Sequence, residues 1–441
     1  MKNILLIGAG KSATVCLEFL AEKSMNGEFG FTVADASLEI LQEKTKHFPH
    51  VQLMELDATD HNQRAAIIKG KNVVISLLPP HLHSLVAIEC VEQSVHLLNA
   101  SYQDEKIKVL ENDIKEKGLL FISELGLDPG IDHMSAMKMI TEIKKKGGHI
   151  ESFLSHCGGL IAPEDDDNPW HYKISWNPRN IVMAGKSGAK FLANGKEVEV
   201  DYKELFDAKN TVHINGTIND TYGFYPNRDS LSYVELYQLQ EASSFIRTTL
   251  RHKDFLTGWS EVVAFDLTNE DVIYDSDIKT MNEILLMHLT NHAFVEKWEA
   301  LKDNINFTRQ IDFLFSPTLD VKLNKGMVSI ADVLQFCMEE KLKLGPTDKD
   351  LIIMQHDVDY MMNEEKKSIS STLAIKGKDS IHTAMAKTVG LPLAITALLI
   401  LEDKIDLTGL HIPIDPKIYE PVLNQLEKAG IVFEEKLLRS S

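Results

Sequence analysis

The sequence predicts an α/β protein, a doubly wound parallel sheet followed by an α+β domain that carries a helical insertion. Three observations lead there. Over the first part of the chain, short apolar runs alternate with amphipathic stretches of helical period. After Pro129 the pattern changes to strand-like runs joined by loops rich in Asp, Asn and Pro. From about Leu256 to Lys343 helix-period segments dominate.

Taken in order, Asn3–Ile7, Phe31–Ala34, Val51–Leu56, Asn72–Ser76, Val95–Leu98 and Leu119–Ile122 read as strands. The segments between them, such as Leu38–His47 and Glu105–Lys117, read as helices. Six strands alternating with helices imply right-handed crossovers and a parallel sheet. A helix over Ile131–Lys145 precedes strands at Ile150–His156 and Thr211–Ile214. Helices follow at Ile278–Leu289 and Ser329–Lys341, then strands at Leu351–Gln355 and Ser370–Ile375. Two helices, Ser380–Leu401 and Lys417–Ala429, end the pattern.

The 441 residues suffice for two or three domains, and 44% apolar with 25% charged residues is an ordinary globular balance. Against 65 Asp and Glu stand 46 Lys and Arg, a net charge of -19, which argues against nucleic acid as a partner. An anionic substrate would then need a local cluster of Arg. Four cysteines lie far apart, with no disulfide or zinc spacing, so a reducing compartment and no metal are expected. Leu391–Leu401 is the longest apolar stretch, contains Pro392 and is too short to span a bilayer. A cytoplasmic protein without membrane association is expected.

Gly8-Ala9-Gly10-Lys11-Ser12-Ala13 follows the first strand and opens the first helix. Gly8 permits the tight turn, Gly10 lets backbone approach a pyrophosphate, and Ala13 allows close helix–strand packing. The helix N-terminus supplies N–H groups and partial positive charge to phosphates. This is a Rossmann-type dinucleotide site. Asp35 ends the second strand, where a carboxylate can accept from ribose hydroxyls and repel the extra phosphate of NADP. A helix cap is the competing role, and both can coexist. NAD is therefore favoured over NADP. Asp57 and Ala58 would lie beside the adenine, and Leu78 would support the middle of the cofactor. Ser101, Tyr102 and the stretch Glu124–Gly130 follow later strands, at the end of the sheet where ligands gather. His81 and His83 sit in a turn after the fourth strand, where helix start or packing explains them.

Gly126-Leu127-Asp128-Pro129-Gly130-Ile131-Asp132-His133 resembles the signature of the L-glutamate-forming saccharopine dehydrogenases, the saccharopine reductase family. So do Cys157-Gly158-Gly159, Ala162-Pro163-Glu164, Asn168-Pro169, Tyr172–Trp176, Tyr225–Ser230, Arg247–Arg251 and Ala386–Pro392. The similarity keeps motif order through nearly the whole chain. It implies a Rossmann domain over 1–130 completed by about 385–441, and an α+β substrate-binding and dimerisation domain over 131–255 and 350–384. The helical insertion would cover 256–349. By the same resemblance, Ser101, Tyr102, Asp128, Arg228, Thr249, Leu250 and Arg251 would contact saccharopine. Leu127, Pro129 and Trp176 would border the cofactor, and the protein would be a homodimer.

The chemistry agrees. Saccharopine carries three carboxylates, and planar guanidinium groups bind carboxylates through paired hydrogen bonds, which suits Arg228 and Arg251. A salt bridge is their alternative reading. Asp128 could pair with an ammonium or handle the proton of the reacting nitrogen, with Tyr102 as another proton-handling candidate. The expected reaction interconverts saccharopine with glutamate and 2-aminoadipate 6-semialdehyde. Cys157 packs rather than attacks, because no step requires a nucleophilic thiol. Pro80, His156, Ile161, Thr248 and His252 depart from the family pattern near this region. Two alternatives stand beside this function: a carboxynorspermidine-type dehydrogenase, whose substrate offers fewer carboxylates, and a non-catalytic NAD-binding sensor.

Overall fold

The computed structural model describes residues 1–214, 221–316 and 320–440. They form two compact units, neither a continuous stretch of chain: Met1–His149 with Ile381–Phe433, and the described residues of Ile150–Ser380 with Glu434–Ser441.

The first unit is built on β1 (Lys2–Ile7), α1 (Thr14–Ser24), β2 (Phe29–Asp35), α2 (Leu38–Thr45), β3 (Gln52–Glu55), α3 (His61–Ile68), β4 (Val73–Ser76), α4 (His83–Glu92) and β5 (His96–Asn99). It continues through α5 (Glu105–Lys108), α6 (Glu111–Glu116), β6 (Leu120–Ile122) and α7 (Ile131–Lys145). The expected long helix Glu105–Lys117 is thus two short ones. β1 pairs in parallel with both β2 and β4, and chain order reverses there. Beyond the six expected strands a seventh, Gly409–His411, adds in parallel to β6. Ile4–Ile7 and Val73–Ile75 are wholly buried, as strands covered on both faces must be. The helix Ala384–Leu401 is long and apolar enough to cross a membrane, which corrects the shorter estimate above. Here most of it is buried in the unit. It lies so close to α1 that a Cβ on Gly390 would stand 2.8 Å from the Cys16 nitrogen. The helix α7 belongs to this unit too: Tyr419 Oη, on the helix Pro416–Lys428, donates to Thr141 Oγ1 at 3.2 Å. The domain boundary at Gly130 is corrected accordingly, since the divide falls at His149.

The second unit holds a ten-stranded mixed sheet. His149–Ile161 pairs in parallel with Ser244–Arg251, which pairs antiparallel with Thr221–Pro226. A hairpin of Asp350–Met362 and Glu365–Lys376 is far longer than its apolar cores suggested. Its two-residue turn, Asn363 and Glu364, has positive φ at both positions, the geometry that matches strand twist. Gly158 is required where it stands, because a Cβ there would meet Leu250 Cβ at 2.6 Å. The helices between Lys253 and Lys341 share one aromatic core with residues 170–182. Trp170 donates from Nε1 to the Gln310 carbonyl, and Phe255 stacks on Trp259 at 5.3 Å.

Candidate active site

In the first unit the candidate residues gather beyond the carboxyl ends of the parallel strands. Gly8 adopts φ +97 and donates to the Ala34 carbonyl, and a Cβ on it would lie 2.7 Å from the Leu77 carbonyl oxygen. No larger residue fits. Around Gly10, by contrast, a Cβ would project into open space, and its φ of -63 is ordinary. That space is where the backbone can receive a pyrophosphate. Lys11, Ser12 and Ala13 form one 3-10 turn into α1, and no side chain caps the start of that turn or of α1. The Ala13 N–H donates to the Gly10 carbonyl, and no side chain competes with an anion for the other N–H groups at this helix start. The loop therefore fits a dinucleotide.

Asp35 has a different task from the one its position suggests. One carboxylate oxygen accepts from the Ala9 N–H at 2.7 Å and the other from the Ser37 N–H at 3.0 Å, so it braces the glycine turn. Beside it Lys44 reaches from α2 to donate to the Gly10 carbonyl at 2.7 Å and to Thr14 Oγ1 at 2.9 Å. Burial lowers the Lys44 pKa, while Asp35 and Glu18 pull it upward. A lysine nine positions beyond Asp35 is invisible to a search of the adjacent sequence; only the α2 packing brings it here.

Asp57 and Ala58 serve their own turn. Asp57 accepts from the N–H and hydroxyl of Thr59, which hold its carboxyl below the ordinary carboxylate range. The Ala58 carbonyl accepts from buried Arg64 at 2.9 Å. Leu78 packs half-buried on the core below β4.

The loop after β5 is pinned from several sides. Ser101 donates its N–H to Asn99 Oδ1, and its carbonyl accepts from the Glu124 N–H at 2.9 Å. Gln103 N–H reaches Glu124 Oε1 at 3.1 Å, and Glu124 Oε2 in turn meets the wholly buried His133 at 2.9 Å. Tyr102 lies half-buried between these anchors. After β6, residues 126–130 close into a tight loop: Gly126 N–H donates to the Pro129 carbonyl, and a Cβ on Gly130 would overlap Gly126. Within Leu125–Ile131 every residue is buried except Asp128, which the loop holds partly exposed at the start of α7. Leu127 and Pro129 are buried beside it.

In the second unit, Arg251 ends its strand with 4% exposure. Its guanidinium carbon lies 5.2 Å from the Tyr172 ring, 5.6 Å from Phe255 and 6.0 Å from Tyr225. Its Nη1 donates to the Leu250 carbonyl at 2.8 Å, its Nε has no partner, and no carboxylate among the described residues pairs with it. Burial raises the Tyr172 pKa, with the nearby guanidinium pulling the other way. Thr249 lies in register between Tyr225 and Cys157 on the neighbouring strands. Leu250 points to the opposite face, wholly buried in an apolar cluster, so only its backbone is placed for polar contact. Arg228 is exposed, with φ +51, on a short strand beside Ala189. Trp176 packs against the aromatic core, its Nε1 donating to Tyr172 Oη at 3.3 Å. Of the departures noted above, His156 hydrogen-bonds Thr248 at 2.7 Å, so these two pair with each other, and burial lowers the His156 pKa to about 3. His252 lies on His171, ring centroids 3.9 Å apart. Sequence reasoning missed Lys44, the aromatic box around Arg251 and the position of His83, whose ring nitrogens lie 2.9 Å from Ser76 Oγ and 2.8 Å from Ser101 Oγ.

Two family models match the chain. One, the saccharopine dehydrogenase NADP binding domain, covers residues 4–122, and the other, the saccharopine dehydrogenase C-terminal domain, covers 126–431. The Schizosaccharomyces pombe protein named saccharopine dehydrogenase [NADP(+), L-glutamate-forming] is 32% identical over 99% of both chains. The Arabidopsis thaliana protein named alpha-aminoadipic semialdehyde synthase is also 32% identical, and there this chain spans only 45% of the relative's length. Apo saccharopine dehydrogenase (L-Glu forming) from Saccharomyces cerevisiae superimposes with a TM-score of 0.86 at 30% identity, covering 100% of each chain. Homospermidine synthase from Legionella pneumophila, at 8% identity and a TM-score of 0.58, shares the fold alone. The expectation that Asp35 selects NAD is overturned: the model over 4–122 is an NADP binding domain and the yeast relatives are named for NADP(+). The geometry gives the reason, since the Asp35 carboxylate is engaged by two backbone N–H groups and a lysine lies beside it. With models matching both parts of its length, the chain belongs to the saccharopine dehydrogenase family.

Proposed function

We propose that this protein is an NADP-dependent saccharopine dehydrogenase of the L-glutamate-forming type, oxidising the CH–NH bond of the substrate's secondary amine. The observation that carries this reading is Arg251: a buried guanidinium boxed by aromatic rings, with no carboxylate of the described residues in ion-pair contact with it. A buried charge without a counter-ion is costly, and an anionic ligand compensates it. Three aromatic rings surround the guanidinium, whose planar fork suits a carboxylate.

The glycine turn with Gly8, Gly10, Lys11 and Ser12 would hold the dinucleotide phosphates, and the bound nicotinamide supplies the hydride acceptor. The chain's own residues bind and orient. Arg251 and the exposed Arg228 bind substrate carboxylates, and Thr249 offers a hydroxyl in the same strand as Arg251. In the first unit Ser101 and Tyr102 are presented by a braced loop, and Asp128 is held partly exposed to take or return the proton of the reacting nitrogen. Loss of hydride from the carbon beside that nitrogen leaves an imine on the substrate. Water adds to it, the C–N bond breaks, and glutamate and an aldehyde leave. A carboxynorspermidine-type substrate, with fewer carboxylates, offers fewer partners to these arginines.

The test is the appearance of reduced nicotinamide on adding saccharopine and NADP, with glutamate assayed as product. We also propose a homodimer, on the family likeness; light scattering should give twice the 49.6 kDa chain mass.

A further inference from the structure

Between the end of β4 and the loop after β5 lies a chain of three polar side chains. Ser76 Oγ is 2.9 Å from His83 Nδ1, and His83 Nε2 is 2.8 Å from Ser101 Oγ. Ser76 is wholly buried and His83 is 3% exposed, while Ser101 is half-buried and reaches solvent. Burial pulls the His83 pKa down to about 4, with Asp104 raising it and His81 lowering it, so the imidazole is neutral at pH 7. A neutral imidazole has one N–H and one bare nitrogen, and its neighbours decide which is which.

Ser76 decides it. Its hydroxyl has no hydrogen-bond partner among the described residues except His83. Were Nδ1 protonated, it would donate to Ser76, and the Ser76 proton would be buried without an acceptor. An unmet buried donor is the costlier arrangement. Ser76 therefore donates to Nδ1, the ring carries its proton on Nε2, and Nε2 donates to Ser101 Oγ. The Ser101 hydroxyl, whose described partner is His83 alone, keeps its own proton to give outward.

We propose that His83 is a positioning residue that fixes Ser101 as a hydrogen-bond donor to a carboxylate of the substrate. The carboxylate rests on the function proposed above; the relay itself does not. A serine in this state has one lone pair committed to the imidazole and presents its O–H to a carboxylate oxygen. The relay accounts for a histidine that otherwise only packs at the start of α4.

Two amide variants separate the two bonds. In His83→Asn the amide stands near the Nδ1 position, keeping Ser76 and losing Ser101, whereas His83→Gln reaches the Nε2 position. His83→Asn should raise the KM for saccharopine about tenfold, the scale of one hydrogen bond to a charged group, with kcat less affected and the KM for NADP unchanged. His83→Gln should stay within about threefold of wild type. Ser101→Ala should match His83→Asn, and the double variant should be no worse than Ser101→Ala, because both changes remove one interaction. Full multiplication of the two effects, or an unchanged KM in His83→Asn, overturns the proposal. Nitrogen-15 NMR of the ligand-free protein at pH 7 decides the relay without any substrate. The expected ring is protonated at Nε2 and bare at Nδ1, with the Nε2 signal moving in Ser101→Ala. A ring protonated at Nδ1, or at both nitrogens, overturns it. Should wild-type protein fail to oxidise saccharopine, the proposed function falls, and the NMR result alone then confirms or rejects the relay.

Discussion

At the scale of single residues, Arg251 bears the greatest weight. Replacing it with Met keeps the volume and removes the charge from the Tyr172, Tyr225 and Phe255 box. Loss of a charged hydrogen bond should cost about 1.5–3 kcal/mol in kcat/KM for saccharopine, with NADP affinity unchanged. Stability should hold or rise, since an unpaired buried charge is exchanged for an apolar side chain. Thermal melting and steady-state kinetics on one preparation check both; a large fall in Tm with unaltered saccharopine kinetics would make Arg251 a structural residue. The charge itself was legible in the chain as one of two candidate clamps. Its surroundings were not, because Tyr172 and Tyr225 come from other segments and only the fold makes them neighbours. Asp35 failed for a related reason: its end-of-strand position was read correctly, yet hydrogen bonds to Ala9 and Ser37 and the approach of Lys44 are tertiary facts.

Within elements, the glycine turn yields a sharp contrast between two similar residues. Gly8→Val forces a branched side chain into positive φ and against the Leu77 carbonyl, so the protein should be strongly destabilised or fail to accumulate folded. At Gly10 an added Cβ has nothing within 4 Å and the backbone φ is ordinary, so Gly10→Val should fold with a Tm near wild type while blocking the cofactor. Circular dichroism and nicotinamide fluorescence titration measure the two effects separately; a folded Gly10→Val protein that still binds NADP tightly would reject this loop as the pyrophosphate site. Close packing makes a third case. Gly390→Leu would drive a side chain against the Cys16 backbone, and overpacking of this kind costs about 1–3 kcal/mol, read as a lower denaturant midpoint. Strand and helix positions in the first unit were largely legible because both periods are strong there. The lengths of the hairpin strands Asp350–Met362 and Glu365–Lys376 were not, since the near-turn half of the second is polar and in the first Asp357 and Asp359 interrupt the apolar run, although Val358 and Tyr360 are buried.

For the whole molecule, the first unit depends on chain from both ends of the sequence. The helix Ala384–Leu401 buries Met385, Leu391, Leu393, Ile395, Leu399 and Ile400. Even at the low end of roughly 1.5 kcal/mol each, that burial is on the order of 9 kcal/mol, comparable with a domain's roughly 5–15 kcal/mol of stability. A chain ending at Ser380 should therefore lose the cooperative unfolding of the first unit and become protease-sensitive from Met1 to His149; protection there like that of the full chain would contradict the assignment of these helices. The seventh strand, Gly409–His411, escaped sequence reading because three residues are too few to show a period. The account as a whole is tested most directly by initial rates of NADP reduction with saccharopine, glutamate being measured alongside. It predicts stoichiometric formation of reduced NADP and glutamate, abolished in Gly10→Val and weakened in Arg251→Met. Absence of turnover from a folded wild-type protein that binds NADP, across the accessible range of saccharopine concentration, would contradict it.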